Sequence, residues 1–521
     1  MPTNSLLEWL RDPAPDRGIR FASSGEDWKF WSYQDLAQLS CRAASGLRAE
    51  GVRERDIVSV ILRPGPNFVA ALFGTLVAGA TPSPAAPPAM FQDNVAYAER
   101  LMAYLAIARP SQIVTEADLV PKISALARAL PATRVIAADD LIRADTSPQK
   151  RYPSAPLALL QFTSGSTRSP RAVQIPSDAL ESNLLAIRRW LRIGPDDSTA
   201  SWLPVHHDMG LIGCLLTPVI TQTDLWLLSP EQFVRRPARY LNCFGAHGAT
   251  LTAMPGFGLD YIVRRVNPDA LLGVDFSRWR AIIVGAERIN PKTLEQFHGL
   301  CGQFGLQRSA LLPAYGLAEA SLAVTGLPIG AGWVCARGPQ GDLVVGCGPP
   351  LPGGSVEIRG EDGQPAEDGS CGEIVVSGSS IAEGYLGPSD AGSVTEFGDR
   401  EVRTGDGGFL VANQLFVLGR LGDGVKVRGR MVFAEDLEAA VITAGVPAHR
   451  LVVLVGIACG TRTIAALLEQ AASDWLATAE AILAQRAEGA HVIVMNVPRG
   501  TITRTSSGKP KRDQLWHSLV R

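Results

Sequence analysis

The chain has 521 residues, of which 46% are hydrophobic and 19% are charged, and its net charge is −2. This length exceeds the usual size of a single hydrophobic core, so we expect at least two domains. The lack of a basic charge excess argues against nucleic acid as a partner. The eight cysteines form no C-x-x-C pair, which favours reduced thiols over disulfides or a zinc site. The longest apolar run, residues 68–80, is shorter than the roughly 20 residues that span a bilayer, so we expect a cytoplasmic protein without a membrane span.

Strand-like and helix-like segments alternate through the first 420 residues. Residues 56–62 predict a strand, residues 67–78 a helix, and residues 178–193 an amphipathic helix. Asp178 and Glu181 have the spacing of a capping box at the start of that helix. Alternation of this kind predicts layered α/β structure with largely parallel sheets. Further strands are predicted at 200–203, 224–228 and 280–284.

The pattern changes near residue 345. Valine-rich runs at 355–359 and 372–377, separated by Gly, Asp and Pro turns, predict a small β-rich subdomain over about 345–418. A glycine-punctuated segment follows, and the last 100 residues contain another set of helix and strand patterns. The expected fold class is therefore α/β. A large N-terminal domain of layered α/β sheets (1–422) includes the β-rich subdomain, and a small mobile α+β C-terminal domain (423–521) follows it.

One segment has an unusual composition: Gln161-Phe-Thr-Ser-Gly-Ser-Thr-Arg-Ser-Pro-Arg-Ala-Val173. It follows a short apolar run, residues 157–160, that predicts a buried strand. Residues 163–168 are small, hydroxylic or basic, as a phosphate-holding turn requires, since glycine permits close backbone approach and hydroxyls donate hydrogen bonds. The segment is not a Walker A loop. The same composition is also typical of a plain surface loop, so residue types alone leave both interpretations open.

Four further motifs also allow a functional and an ordinary interpretation. His206-His207-Asp208 could bind a metal, but adjacent side chains of an extended chain point opposite ways, and a buried hydrogen-bonded histidine is the alternative. The Tyr-Gly pair within residues 313–320 and the Thr-Gly-Asp-Gly of residues 403–408 could each be a simple turn. Residues 505–510, Thr-Ser-Ser-Gly-Lys-Pro, could be a mobile basic tail.

Taken in order, these motifs resemble those of the adenylate-forming enzymes, and more narrowly those of the fatty acyl-AMP ligases. Residues 163–170 are similar to the Thr-Ser-Gly-Ser-Thr-Arg-x-Pro of those ligases, and residues 203–211 to their Leu-Pro-x-x-His-Asp-Met-Gly-Leu. Gly285-Ala-Glu-Arg288 resembles Gly-Ala-Glu-Pro, and Tyr315-Gly-Leu-Ala-Glu319 matches Tyr-Gly-x-x-Glu. Seven such matches lie between residues 161 and 510. The resemblance implies ATP-dependent activation of a carboxylic acid as its acyl-adenylate, with ATP and Mg²⁺ as cofactors.

The resemblance also implies a role for each matched residue. Glu319 would bind Mg²⁺, Lys509 would be the catalytic lysine, and His207 would lie where acyl pocket and nucleotide meet. Asp423 would be the hinge between the domains. The residues implied to bind the nucleotide are Thr163, Ser164, Gly165, Ser166, Thr167, Arg168, Gly285, Ala286, Glu287, Ala314, Tyr315, Gly316, Asp406 and Arg420. The residues implied to form the acyl pocket are Trp202, His207, Met209, Met254, Gly256 and Phe257.

The second substrate is left open by the sequence. The contexts of Arg168 and His207 favour a ligase that hands its acyl group to the phosphopantetheine arm of an acyl or peptidyl carrier protein. The insertion that follows Tyr-Gly-x-x-Glu in the fatty acyl-AMP ligases is shortened to 18 residues, 327–344, and Val425-Lys426 resembles the acyl-CoA ligases, so both favour CoA. A non-catalytic scaffold that binds nucleotide or acyl-adenylate is the alternative of another class.

Overall fold

The structure is a computed structural model, and it describes residues 5–88, 94–143, 155–163, 170–339, 341–387, 395–427, 430–458, 461–487, 489–504 and 510–519. Its strands, in chain order, are β1 (Gly18–Ala22), β2 (Trp28–Ser32), β3 (Ile57–Ile61), β4 (Thr81–Pro84), β5 (Gln112–Thr115), β6 (Arg134–Ala137), β7 (Leu157–Thr163), β8 (Arg171–Pro176), β9 (Ser198–Ser201), β10 (Asp224–Leu227), β11 (Leu251–Met254), β12 (Ala281–Val284), β13 (Leu311–Gly316), β14 (Ala323–Gly326), β15 (Cys335–Arg337), β16 (Leu343–Val345), β17 (Gly354–Arg359), β18 (Gly372–Gly378), β19 (Gly384–Tyr385), β20 (Glu396–Phe397), β21 (Glu401–Val411), β22 (Gln414–Arg420), β23 (Gly424–Val427), β24 (Arg430–Phe433), β25 (Leu451–Ala458), β26 (Thr461–Glu469) and β27 (His491–Val497).

The α-helices are α1 (Tyr33–Ala49), α2 (Pro66–Val77), α3 (Asn94–Ala108), α4 (Val120–Ala127), α5 (Ala138–Leu141), α6 (Ser177–Trp190), α7 (Thr217–Thr221), α8 (Pro230–Arg235), α9 (Pro237–Gly245), α10 (Gly256–Arg265), α11 (Pro291–Cys301), α12 (Ala434–Thr443), α13 (Ser473–Arg486) and α14 (Arg512–Leu519). A π-helix, Met209–Leu216, directly precedes α7. Short 3₁₀-helices occupy Ser5–Leu10, Pro268–Leu271, Gly302–Phe304, Arg308–Ala310, Ala318–Ala320, Leu421–Asp423 and Ala448–Arg450. Within the described ranges, no helix is both long enough and apolar enough to cross a membrane.

The predicted α/β layering is confirmed. The largest sheet has eight strands in the order β14-β13-β12-β11-β9-β10-β1-β2, parallel from β13 to β1 with antiparallel edge strands. A second sheet, β4-β3-β5-β6, is parallel throughout. Strands β17, β18, β20, β21 and β22 form the antiparallel sheet expected of the β-rich subdomain. Strands β7 and β8 form a hairpin that β19 extends on one side.

The C-terminal domain has its own core. Strands β25, β26 and β27 form one sheet, and its two faces carry separate apolar clusters whose members all lie at or after residue 425. This grouping supports the predicted boundary near residue 423, which stays a prediction. The sequence patterns at 450–457 and 491–497 correspond to β25 and β27. They missed the central strand β26, because its Ala465-Ala-Leu-Leu468 stretch has the composition of a helix.

The predicted capping box of α6 is wrong. Its N-cap is Pro176, which has no side chain that could accept a hydrogen bond from the helix. Asp178 accepts the N–H of Ala179, and Glu181 accepts the N–H of Leu6 from a distant segment. A tertiary contact therefore uses the glutamate that local spacing assigned to the helix start.

Candidate active site

The hairpin of β7 and β8 places the base of the glycine-rich segment beside Glu319. Thr163 and Arg171 are paired residues at the end of the hairpin where residues 164–170 connect the two strands. The guanidinium of Arg171 lies 5.3 Å from the ring centroid of Tyr385, and the hydroxyl of Tyr385 donates to Oε1 of Glu319 at 2.5 Å. Burial, and then the charge of Glu319, raise the pKa of Tyr385, so its hydroxyl stays protonated and donates. The predicted phosphate-binding residues Ser164, Gly165, Ser166, Thr167 and Arg168 lie outside the described residues.

Glu319 is held by a strained turn. Ser321, two residues later, has φ 65° and ψ −65°, and the N–H of Leu322 donates to the carbonyl of Ala320 at 2.8 Å, which closes a γ-turn. Asn183 of α6, fully buried, donates to the carbonyls of Ala320 and Ala323 and accepts the N–H of Ala323. The segment that carries Glu319 is therefore fixed to α6, with the carboxylate only 5% exposed.

Tyr315, Asp406 and Arg420 form a second polar cluster. The hydroxyl of Tyr315 donates to Oδ2 of Asp406 at 2.7 Å, and Nε of Arg420 lies 3.0 Å from Oδ1. Asp406 and Arg420 are cross-strand partners on β21 and β22, so the sheet sets their spacing. Burial, and then the charge of Asp406, raise the pKa of Tyr315 well above its usual range. Each carboxylate oxygen has a second lone pair with which it can accept a hydroxyl hydrogen bond.

Small residues give the strand ends beside this cluster a flat surface. A Cβ added to Gly285 would lie 2.9 Å from the carbonyl oxygen of Ala314, and one added to Gly316 would lie 2.0 Å from that of Leu322. Ala286 has φ 66°, a left-handed conformation that is strained for any residue with a Cβ. Such strain at a strand end is typical of a binding site, and a planar ring could approach this backbone closely.

A deep cavity begins at this surface and runs along the main sheet, beneath α6 and the π-helix. It comprises about 780 Å³, including the part open to solvent. Leu251 lines one end of the cavity and pairs with Ala281 on β12. Gly285 lines the other end and lies four residues beyond Ala281, so the lining extends about 13 Å along the strands. The residues that line the cavity are Ile187, Trp190, Leu191, Ile193, Thr199, Asp208, Met209, Gly213, Cys214, Thr217, Leu251, Thr252, Ala253, Ile283, Gly285, Ala286, Ala314, Tyr315, Gly316, Leu322 and Ala323.

The lining of this cavity includes one of the six residues predicted to form the acyl pocket. Met209 lines it, whereas Trp202, His207, Met254, Gly256 and Phe257, all in described parts of the chain, do not, and the composition of the acyl pocket stays a prediction. Met254, the residue after Ala253 on β11, is fully buried and lies outside this lining. Trp202 stacks on Phe233 with ring centroids 4.1 Å apart.

Glu287 also has a contact that the sequence did not predict. Its Oε1 accepts the N–H of Phe257 at 2.7 Å, at the first turn of α10, and a Cβ on Gly256 would lie 3.1 Å from the same oxygen. A carboxylate at this position satisfies a free helix N–H. Glycine at position 256 therefore makes room for Glu287 and does not widen the cavity.

The His206-His207-Asp208 segment lies at the start of the π-helix. The side-chain amide of Gln161, on β7, donates to the carbonyl of His206 at 2.9 Å, and Asp208 lines the cavity. Nε2 of His206 is buried and has no hydrogen-bond partner among the described residues. Burial, and then the charges of His207 and Arg100, hold the pKa of His206 well below its usual value, so its ring is neutral.

Lys509 lies outside the described residues, but the chain on both sides of it is placed. Arg504 and Pro510 form a bridge pair, and the N–H of Lys511 donates to the carbonyl of Thr503 at 2.9 Å. Burial, and then the charge of Arg100, lower the pKa of Lys511, and the same Arg100 acts on His206. At the predicted hinge, burial and then the charge of Glu435 raise the pKa of Asp423 to about 7.

Comparisons with known proteins agree with this arrangement. Residues 11–386 match the family described as AMP-binding enzyme. A long-chain-fatty-acid–AMP ligase of Mycobacterium marinum is 32% identical over 447 residues, which cover 78% of this chain and 76% of that protein. A 4-hydroxyphenylalkanoate adenylyltransferase of Mycobacterium tuberculosis is 30% identical over 510 residues, which cover 88% and 81%.

The fold agrees as well. A solved structure from the fatty acyl-adenylate ligases of E. coli and L. pneumophila has a TM-score of 0.89 at 29% identity, covering 100% of this chain and 98% of that one. The chain belongs to the AMP-binding enzymes. It is an ATP-dependent ligase that forms acyl-adenylates.

Proposed function

We propose that this protein activates a fatty or bulky apolar carboxylic acid as acyl-AMP, releases pyrophosphate, and transfers the acyl group to the phosphopantetheine thiol of a carrier protein with release of AMP. The observation that carries this proposal is that one continuous cavity joins the Tyr315 surface to a long apolar pocket. An apolar tail can occupy the pocket while its carboxylate lies beside the nucleotide. A cavity about 13 Å long along β11 and β12 matches an extended chain of roughly ten carbons, each bond being about 1.5 Å in a zigzag.

In the proposed reaction, a carboxylate oxygen of the acid bonds to the α-phosphorus of ATP, and the bond from that phosphorus to the pyrophosphate oxygen breaks. Negative charge builds on the equatorial and leaving oxygens, so donors and cations aimed at those atoms accelerate the step. Lys509 and the residues of 163–168 are the groups proposed to act there. Asp406 would accept the ribose hydroxyls, while Tyr315 and the backbone of Gly285 and Ala286 would hold the adenine.

Glu319 is the residue proposed to hold Mg²⁺. A buried carboxylate beside the base of the phosphate-binding hairpin fits this ion, which usually takes one or two carboxylates and completes its shell with phosphates and water. The Tyr385 hydroxyl occupies one lone pair of Oε1 and fixes the orientation of the carboxylate. Bound Mg²⁺ would neutralise part of the charge on the phosphates.

The acceptor is proposed from the motifs at the reacting centre. The Arg168 and His207 contexts, and the resemblance to AMP ligases, support a carrier protein. The short segment 327–344 and Lys426 favour CoA, but insertion length varies easily in surface segments. Movement of the 423–521 domain about Asp423 would expose the acyl-AMP to the thiol.

A pyrophosphate-exchange assay with ATP, Mg²⁺ and a series of acids from butyrate to hexadecanoate tests the adenylation step. We expect exchange and accumulation of acyl-AMP, strongest near ten carbons. Exchange with none of the acids would support the non-catalytic scaffold instead. Adding a phosphopantetheinylated carrier protein or CoA to the preformed acyl-AMP complex then identifies the acceptor. Acyl-CoA formation at the rate of adenylation would overturn the carrier assignment and leave the adenylation intact.

A further inference from the structure

A buried ion pair connects the nucleotide end of the cavity to the C-terminal domain. Arg288 directly follows Gly285-Ala286-Glu287, at the position where the Gly-Ala-Glu-Pro motif has proline. Its guanidinium pairs with Asp436 of α12 and donates to the carbonyl of Leu418 at 3.2 Å. The side chains of Arg288 and Asp436 are 10% and 4% exposed. The pair therefore crosses the proposed domain boundary in a region that water hardly reaches.

Other charges surround this pair. Arg512 of α14 contacts Glu435 and Glu438 of α12 at 2.8 Å each, and Arg486 of α13 pairs with Asp342 of the N-terminal domain. Nη2 of Arg288, Oδ2 of Asp342 and Oε2 of Glu435 are buried and have no hydrogen-bond partner among the described residues. Burial of such groups offsets most of their attraction, so a pair of this kind adds little net stability but favours one arrangement of its partners.

We propose that Arg288, through Asp436, is a positioning residue that holds the C-terminal domain in the placement used for acyl-AMP formation. This inference rests on the proposed function. In the observed placement, Arg512, three residues after Lys509, pairs with Glu435 and Glu438 on either side of Asp436, so the ion pair with Arg288 and the segment that follows Lys509 are held by the same helix, α12. Since Arg288 continues the backbone of Gly285 and Ala286, the surface proposed to bind adenine and the domain that carries Lys509 share one rigid connection.

The pair also has to break before the second step. Rotation of the C-terminal domain would carry Asp436 away from Arg288, because α12 belongs to that domain and Arg288 does not. The ion pair therefore favours formation and retention of acyl-AMP over opening. The Arg288–Asp436 pair acts on the placement of the C-terminal domain and contacts no substrate. Its loss should therefore change rates without changing substrate binding.

The test uses the full chain with Arg288→Met and Asp436→Asn, assayed with ATP, Mg²⁺ and decanoate. We expect kcat for acyl-AMP formation to fall about tenfold and the rate of acyl-AMP release from the enzyme to rise by a similar factor. KM for ATP and for decanoate should change less than twofold. Arg288→Lys, which keeps the charge, should recover most of the wild-type kcat.

Arg280→Met is the matched control. Arg280 pairs with the buried Asp197 at 2.6 Å, but both residues lie within the N-terminal domain. This variant should lower the unfolding temperature without changing kcat or the release rate. The proposal is overturned if Arg288→Met and Asp436→Asn, both folded by circular dichroism, keep both rates within twofold of wild type, or if Arg280→Met changes them equally. A wild-type enzyme that forms no acyl-AMP would instead refute the proposed function.

Discussion

At the nucleotide end of the cavity the structure depends on particular residues, whereas at the acyl end it depends only on apolar bulk. Gly316 has a carbonyl 2.0 Å from where its Cβ would be, and Asp406 is held by Tyr315 and Arg420. Ile187 and Leu251, at the other end, are apolar residues of a kind found in any core. The proposed chemistry therefore depends on residues that belong to sequence motifs, while the choice of acid depends on how the helices pack against the main sheet. Substitutions at the two ends should then have different signatures.

The largest effect is expected at Lys509. Lys509→Ala removes the cation that we propose contacts charge present mainly in the transition state, and such a loss costs about 2.7–4 kcal/mol, or roughly 10²–10³ in rate. The reduction should be the same for butyrate and decanoate, since the lysine would act on the phosphate. Rapid-quench measurement of acyl-AMP formation tests this. A rate within threefold of wild type would remove Lys509 from the mechanism.

Gly213→Phe should affect only the acyl end. Gly213 lies on the π-helix, and a Cβ there is 3.2 Å from Cδ2 of Leu322, so an aromatic ring would fill the cavity. Excluding about four methylenes at 0.8 kcal/mol each predicts a loss of roughly 200-fold in kcat/KM for decanoate. Activity with butyrate should stay within threefold. Leu185→Phe, on the exposed face of α6, is the control; equal losses with both acids would contradict the assignment of this end.

Asn183→Leu tests the connection between the two ends. The carbonyl of Ala320 keeps the N–H of Leu322, but the carbonyl of Ala323 loses its side-chain donor and the N–H of Ala323 loses its side-chain acceptor. Buried unsatisfied groups cost about 1–3 kcal/mol each. We expect adenylation to slow about tenfold with every acid, because Glu319 loses its fixed position. Urea unfolding and acyl-AMP formation measure the two effects. Asn242→Leu, at an exposed site, should change neither.

The smallest effect is expected from pH. The folded-state pKa of His206 lies below its unfolded value near 6.5, so the unfolded chain binds the extra proton. Its contribution to stability is therefore intact above pH 6.5 and is lost as pH falls below that value, by at most about 1.4 kcal/mol per pH unit. His206→Asn should show a smaller loss of unfolding free energy between pH 7.5 and 5.5. Identical losses in both proteins would contradict a neutral buried ring.

The sequence predicted the layered α/β arrangement and individual elements such as α2 and β12, because these elements follow strong local patterns. The roles of Tyr315, Asp406 and Arg420 were inferred from motif resemblance, and the fold brings Tyr315 and Arg420 each within hydrogen-bonding distance of Asp406. Whether they act as proposed stays a prediction.

The acyl lining could not be predicted in the same way. Ile187 and Trp190 lie on the apolar face of an ordinary amphipathic helix, and nothing in the pattern separates a residue that faces a cavity from one that faces a core. Leu251, Thr252 and Ala253 of β11 line the cavity and Met254 does not, and the pairing of β11 with its neighbours β9 and β12, which places these residues, is not visible in the sequence of the strand. Gly213 within an apolar run was the one available signal.

Helix α6 connects the two ends of the cavity, and this connection affects how the enzyme selects between acids. Asn183 fixes the segment that bears Glu319, and Ile187 and Trp190 line the acyl end of the cavity, at i, i+4 and i+7 of the same helix. An acid too long for the cavity would displace α6, and this helix positions the carboxylate of Glu319 through Asn183. Discrimination against such acids would then appear as slow turnover as well as weak binding, so a wrong acid that still enters the enzyme would rarely be activated.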